Sequence, residues 1–141
     1  MVGAEVSEFS LYMLLSRLRL TTPKLCKIYC TVGTQEKMDF LTANFTIPRN
    51  RIFNSRDASF LPGIKKATGG RGVDVVLNAL SGELLHVSWN CVAEYGTFIE
   101  IGRRDFVGQG MLAMEGFLSN RAFVGFDLSH LGEKRPLIAE G

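Results

Sequence analysis

GGRGVDVVLNALSGELLHVSW, residues 69–89, decides the fold. Its centre, VDVVLNAL (73–80), is nearly continuous in Val and Leu, the pattern of a parallel strand buried on both faces. The turn GGRG (69–72) leads into it. Ser81 and Gly82 then open a helical stretch, ELLHVSWNCVA, that sets Leu84, Leu85, Trp89 and Val92 along one apolar side. A short buried strand feeding a helix of about ten residues is one half of a right-handed βαβ unit.

The same rhythm extends in both directions. Upstream, KIYCTV (27–32) is rich in β-formers and stops at Gly33; Thr34 can cap QEKMDFLTANF, where Met38, Leu41 and Phe45 fall at helical spacing. Pro48 ends that helix. RIFNS (51–55) predicts another strand, and Asp57 can cap a helix from about 58 to 67 with Phe60, Leu61 and Ile64 inward. Downstream, YGTFIEIG (95–102) predicts a buried strand, MLAMEGFL (111–118) a helix and AFVGFDL (122–128) a further strand. Alternation of this kind predicts an α/β protein, a partial Rossmann-like, doubly wound parallel sheet. The first 26 residues break the rhythm: EFSLYMLLSRLRL (8–20) is apolar, basic and helical in pattern.

Composition narrows the function classes. The chain has 141 residues, 46% hydrophobic and 21% charged, the values of one globular domain rather than a disordered segment. A net charge of +2 with mixed signs gives no reason to expect nucleic acid or a membrane surface as partner. No apolar run approaches the ~20 residues of a bilayer span. The start, MVGAEVSEF, lacks a basic stretch followed by an apolar one, so cytoplasmic localisation is expected. Cys26, Cys30 and Cys91 have no zinc-site spacing and read as reduced thiols, and no metal ligand set is expected.

In parallel sheets of this kind, ligands bind beyond the carboxyl ends of the strands. The candidate site residues are therefore those at the predicted strand tips: Gly33, Thr34, Asn54, Ser55, Arg56, Asn78, Gly102, Arg103 and Asp127, with Lys37 just beyond the first of them. Where an NAD-binding fold usually places an acidic residue for the ribose 2′-hydroxyl, this chain has Thr34 and Lys37, with Arg56 ending the next strand. A hydroxyl beside two cations suits a 2′-phosphate, although each residue alone also fits a solvated surface position. GGRG follows a helix and precedes a strand, so it is a turn and not a phosphate cradle, and no G-x-G-x-x-G stands elsewhere. His86 beside Trp89 reads as a core-edge histidine.

Five segments in order, TVGTQEKMDFL, RIFNSRD, GGRGVDVVLNALSGELLHVSW, GTFIEIGRRD and FLSNRAFVGFDLS, resemble the enoyl reductase domains of fungal-type reducing polyketide synthases and animal-type fatty acid synthases, zinc-free members of the medium-chain reductases. The resemblance covers about residues 28–131. It implies NADPH as hydride donor and an α,β-unsaturated thioester on an acyl carrier protein as substrate, with hydride delivered to the β-carbon and a proton to the α-carbon. It matches Thr34, Lys37 and Arg56 to a 2′-phosphate pocket, and Asn78, Ala79 and Leu80 to the turn beside the nicotinamide ribose. Arg103 and Asp127 stand where the family has a lysine and an aspartate proposed as proton donors. Arg103 departs from that lysine and is a poor acid, though it can stabilise an enolate electrostatically.

The resemblance also implies a substrate-binding domain and a glycine-rich loop ahead of this region, which the chain does not contain; NADPH binding and independent activity are in doubt for that reason. MVGAEV matches the end of the helix after that loop, and the family would pass from GAEV almost directly into the strand ending in TVG. Residues 7–28 intervene, and 1–27 are expected to be a divergent segment, readable as translated intron, ahead of a partial NADPH-binding domain at 28–141. Two other readings stay open, a non-catalytic pseudo-reductase remnant or docking module, and a quinone-reductase-like oxidoreductase. Sheet edges left by truncation would favour self-association.

Overall fold

The structure, a computed structural model, describes residues 2–3, 27–127 and 130. Strands β1 (Val2–Gly3), β2 (Cys30–Val32), β3 (Ile52–Asn54), β4 (Val73–Asn78), β5 (Val92–Glu100) and β6 (Ala122–Gly125) form one sheet in the order β3-β2-β1-β4-β5-β6. Every pairing is parallel. Helices α1 (Gln35–Phe45), α2 (Phe60–Ala67), α3 (Glu83–Asn90) and the single turn α4 (Arg104–Val107) connect the strands. The chain therefore winds outward from the middle of the sheet in both directions, the expected α/β class.

α1 keeps its predicted bounds because its punctuation is local. Thr34 is the N-cap, its hydroxyl accepting from the Lys37 amide at 3.3 Å, and Thr46 ends the helix in the left-handed region at φ 55°. Leu41 and Phe45 face inward and join Cys30, Val32, Ile47 and Ile52 in a cluster on one side of β2 and β3. Alternate residues point to the opposite face. There Tyr29, Val76 and Phe98 join Phe60 and Ile64 of α2 and Leu85 and Trp89 of α3 in the larger core. Burial pushes the thiols of Cys30 and Cys91 up to about 11, so they are inert protonated side chains.

Several expectations change. α2 begins at Phe60 rather than at 58, because Asp57 accepts from the Ser59 amide at 2.9 Å in a tight turn and does not cap the helix. α3 ends at Asn90, and Val92 and Ala93, read as helical, extend β5 instead. β4 is not buried on both faces: Val76 is fully buried, whereas Val75 is 52% exposed. Segment 111–118 is not an α-helix. It is extended at first and then 3-10 over Met114–Ser119, with Asn120 closing it at φ 56°.

MVGAEV, matched to a helix end, instead contributes a strand. Val2 pairs with Cys30 and Leu77, and Gly3 with Thr31, which fills the gap between β2 and β4. The physical reason is hydrogen bonding: facing edges of β2 and β4 left without a strand between them would strand buried amides and carbonyls. The intervening segment read at 7–28 lies outside the described residues except for 27 and 28. The two-residue β1 thus belongs to the sheet although it falls within the segment expected to be divergent.

Candidate dinucleotide site at the strand tips

A cavity of about 320 Å³ opens at the carboxyl ends of the strands. Gly33, Thr34, Lys37, Ser55 and Arg56 line one side of it, from the tips of β2 and β3 and the first turn of α1. Leu80, Ser81, Leu84 and Arg104 line the other, from the β4–α3 turn, the first turn of α3 and α4. Three cations and no carboxylate border it, and none of the three is in an ion pair among the described residues.

Each cation is placed by backbone chemistry. Lys37 lies one turn into α1, after the Thr34 cap. The Arg56 Nε donates to the Gly33 carbonyl at 2.6 Å, and its amide donates to Asn54 Oδ1 at 3.0 Å. The tips of β2 and β3 are thereby tied together, leaving the outer guanidinium nitrogens of Arg56 for a ligand. A Cβ at Gly33 would stand 3.3 Å from Arg56 Nε, so a bare glycine keeps this side open. Arg104 Nη1 donates to Ser81 Oγ at 3.3 Å, and both oxygens of the next residue, Asp105, accept from the Gly82 amide at 3.0 and 3.3 Å.

The sequence reading placed Gly33, Thr34, Lys37, Arg56 and Leu80 in one site, and they do line one cavity. Asn78 and Ala79 do not line it. Asn78 is fully buried beneath the turn, where its Nδ2 donates to the Leu80 carbonyl at 2.7 Å and to Glu100 Oε2 at 2.5 Å. Gly102 donates its amide to Glu100 Oε1 at 2.7 Å; a Cβ there would stand 2.8 Å from that oxygen. Both residues shape the site from below. Arg103 and Asp127 come together elsewhere, Nε to Oδ2 at 3.3 Å, at the tips of β5 and β6.

The reading had Ser55 among the strand-tip residues, and it lines the cavity; it missed Ser81 and Arg104, and it missed Glu100. Arg104 was hidden by its neighbour, since Arg103 alone matched a family position. Glu100 carried a usable signal, a carboxylate inside the apolar run FIEIG. It is 2% exposed and borders a second, more apolar cavity of about 440 Å³ together with His86 and Asp105. Burial raises its pKa above the ordinary 4.5 and the charge of Asp105 adds to this, while the Asn78 and Gly102 hydrogen bonds oppose it.

A carboxyl with a raised folded pKa contributes fully to stability below its unfolded value near 4.5, and that contribution is lost as pH climbs through the raised value. Urea midpoints measured between pH 4 and 8 should therefore fall more steeply with pH for the native chain than for Glu100→Gln. Parallel profiles would show that Glu100 titrates normally.

A family model described as zinc-binding dehydrogenase matches residues 49–141. The chain is 61% identical over 115 residues to the highly reducing polyketide synthase g433 of a Fusarium species, covering 81% of this chain and 5% of that protein. It is 64% identical over 110 residues to the highly reducing polyketide synthase pspA of Penicillium soppii, covering 78% of this chain and 4% of that one. It therefore spans about a twentieth of the length of these relatives. Among solved structures, it resembles the nucleotide-binding subdomain of the enoylreductase domain of PpsC from Mycobacterium tuberculosis, with TM-score 0.68, 31% identity and coverage of 78% of this chain and 60% of that one. It also resembles the CurK enoyl reductase, with TM-score 0.72, 28% identity and coverage of 96% and 38%.

Proposed function

The chain belongs to the zinc-binding dehydrogenase family, and on that premise we propose that it is the NADPH-binding part of an enoyl reductase acting on α,β-unsaturated acyl thioesters in polyketide synthesis. The single observation that carries the cofactor reading is the cavity at the strand tips with Lys37, Arg56 and Arg104 around it and no carboxylate. An acidic residue at the tip of β2 would repel a 2′-phosphate; Thr34, Lys37 and Arg56 attract one.

Zinc, which the family description names, does not fit. No group of three or more His, Cys, Asp or Glu side chains among the described residues could hold a metal ion, and the two described cysteines are buried protonated thiols.

The residues fit the reduced dinucleotide, which when bound supplies hydride to the β-carbon of the enoyl thioester. Lys37 and Arg56 grip its adenosine 2′-phosphate. Asn78 fixes the Leu80 carbonyl and so the turn that flanks the bound cofactor. Arg103, oriented by Asp127 at 3.3 Å, stabilises the negative charge that develops on the thioester oxygen as the enolate forms. An arginine does not release its proton at neutral pH, and the carboxylate paired with it has none to give, so the α-carbon takes its proton from solvent water.

The substrate would arrive on an acyl carrier protein within a synthase such as those the chain resembles. The test is a fluorescence titration of the full chain with NADPH and NADH, followed by NADPH oxidation with a crotonyl thioester. Saturable NADPH binding several-fold tighter than NADH is expected, with no turnover until a chain supplying the acyl pocket is added. Equal binding of both dinucleotides, or of neither, would end the reading. No helix among the described residues is long and apolar enough to cross a membrane.

A further inference from the structure

We infer that Arg104 is a second anion-binding arm, held by Ser81 and aimed at the diphosphate bridge of the dinucleotide rather than at its 2′-phosphate. This rests on the dinucleotide reading above and adds to it a residue and a ligand group. The first observation is the division of the cavity. Lys37 and Arg56 belong to the tips of β2 and β3, and Arg104 to the segment after β5. In the sheet, β1 lies between β2 and β4, so the tips of β2 and β4 are two strand spacings, about 10 Å, apart. One phosphate is satisfied by two cations on its own side, whereas a third cation across the cavity fits a second anionic group.

The second observation is preorganisation. Ser81 and Gly82 are strapped to consecutive residues of α4, Ser81 Oγ accepting from Arg104 and the Gly82 amide donating to Asp105. That double clasp fixes the backbone from which Arg104 projects and occupies one of its five N–H donors. The rest remain for oxygen acceptors, and no carboxylate among the described residues pairs with the guanidinium. A diphosphate on the 5′ side of the same ribose whose 2′-phosphate meets Lys37 and Arg56 would extend toward the β4 tip, where Leu80, Ser81 and Arg104 stand.

Two fragments separate the arms: adenosine 2′-monophosphate, which carries only the 2′-phosphate, and adenosine 5′-diphosphate, which carries only the diphosphate. Each is titrated, with NADPH, against the full chain and its Arg104→Ala, Arg104→Lys and Arg56→Ala variants, at two salt concentrations. Arg104→Ala should weaken NADPH and adenosine 5′-diphosphate about tenfold and leave adenosine 2′-monophosphate unchanged, with partial recovery in Arg104→Lys. Arg56→Ala should do the reverse for the two fragments. Equal losses for both fragments in Arg104→Ala would place the arginine in the 2′-phosphate pocket, and no loss for either would remove it from the site; each result overturns the inference and leaves the dinucleotide reading standing. Failure of the native chain to bind NADPH or either fragment would sink that reading and this inference together. Thermal unfolding of each variant identifies any loss caused by misfolding, and Arg104→Lys, which preserves the charge, then carries the comparison.

Discussion

Truncating Trp89 to alanine is expected to cost about 3–5 kcal/mol, enough to leave a domain of ordinary stability, about 5–15 kcal/mol, partly unfolded at moderate urea. Trp89 is the only tryptophan and is 3% exposed. Its ring meets Phe98 at 5.8 Å, Phe117 at 5.0 Å and Phe123 at 5.9 Å between centroids, and Arg121 lies over it at 5.6 Å. One side chain from α3 therefore joins β5, β6 and the 3-10 segment into one core. Removing it leaves Phe98 and Phe123, themselves stacked at 5.0 Å, beside a void the backbone cannot close.

Gly116 abuts the indole so closely that any Cβ there would overlap it, which explains a glycine inside an apolar segment. The buried indole Nε1 has no hydrogen-bond partner among the described residues, so Trp89→Phe gives up surface but also removes an unpaired donor and should cost under ~2 kcal/mol. Urea unfolding followed by circular dichroism measures both. Equal costs for the two variants would show that volume at this site does not govern stability.

The second large effect belongs to Arg56. Arg56→Ala should weaken NADPH by about 10- to 100-fold, the range of a lost charge-assisted pair, and change NADH by less than twofold. The selectivity between the two dinucleotides should then nearly vanish. The variant also frees the Gly33 carbonyl, which Arg56 Nε holds at 2.6 Å, so some loss common to both dinucleotides is expected. The ratio of the two affinities isolates the phosphate contribution. A ratio unchanged from the native chain would mean that Arg56 serves only as a strut between the tips of β2 and β3.

How much of this was legible in the sequence depended on how local its causes were. Gln35–Phe45 could be read to the residue because the cap Thr34 and the stop at Pro48 closely bracket its apolar spacing. MLAMEGFL could not: its residues suggested a helix, whereas the segment is 3-10 from Met114 and leaves Met111, Met114 and Leu118 86%, 75% and 83% exposed. That segment follows the shape of Trp89, a residue from another element, and nothing in its own pattern announces the constraint. Arg103 and Asp127 could be picked out as strand-tip residues, and the resemblance gave them a role; that they pair is a consequence of β5 and β6 being neighbours.

The sequence by itself determined the parallel α/β class, the alternation of strands and helices from residue 27 to 102, and the presence of cations at the tips of β2 and β3. Those follow from hydrophobic period, caps and turn residues, which act over a few positions. Only the tertiary structure decided that Arg104 shares a cavity with Lys37 and Arg56, that Asn78 and Glu100 lock together beneath the turn, and that β1 fills the centre of the sheet. These depend on which strands lie side by side and at what register, a choice made by backbone hydrogen bonding and core packing between residues far apart in the chain.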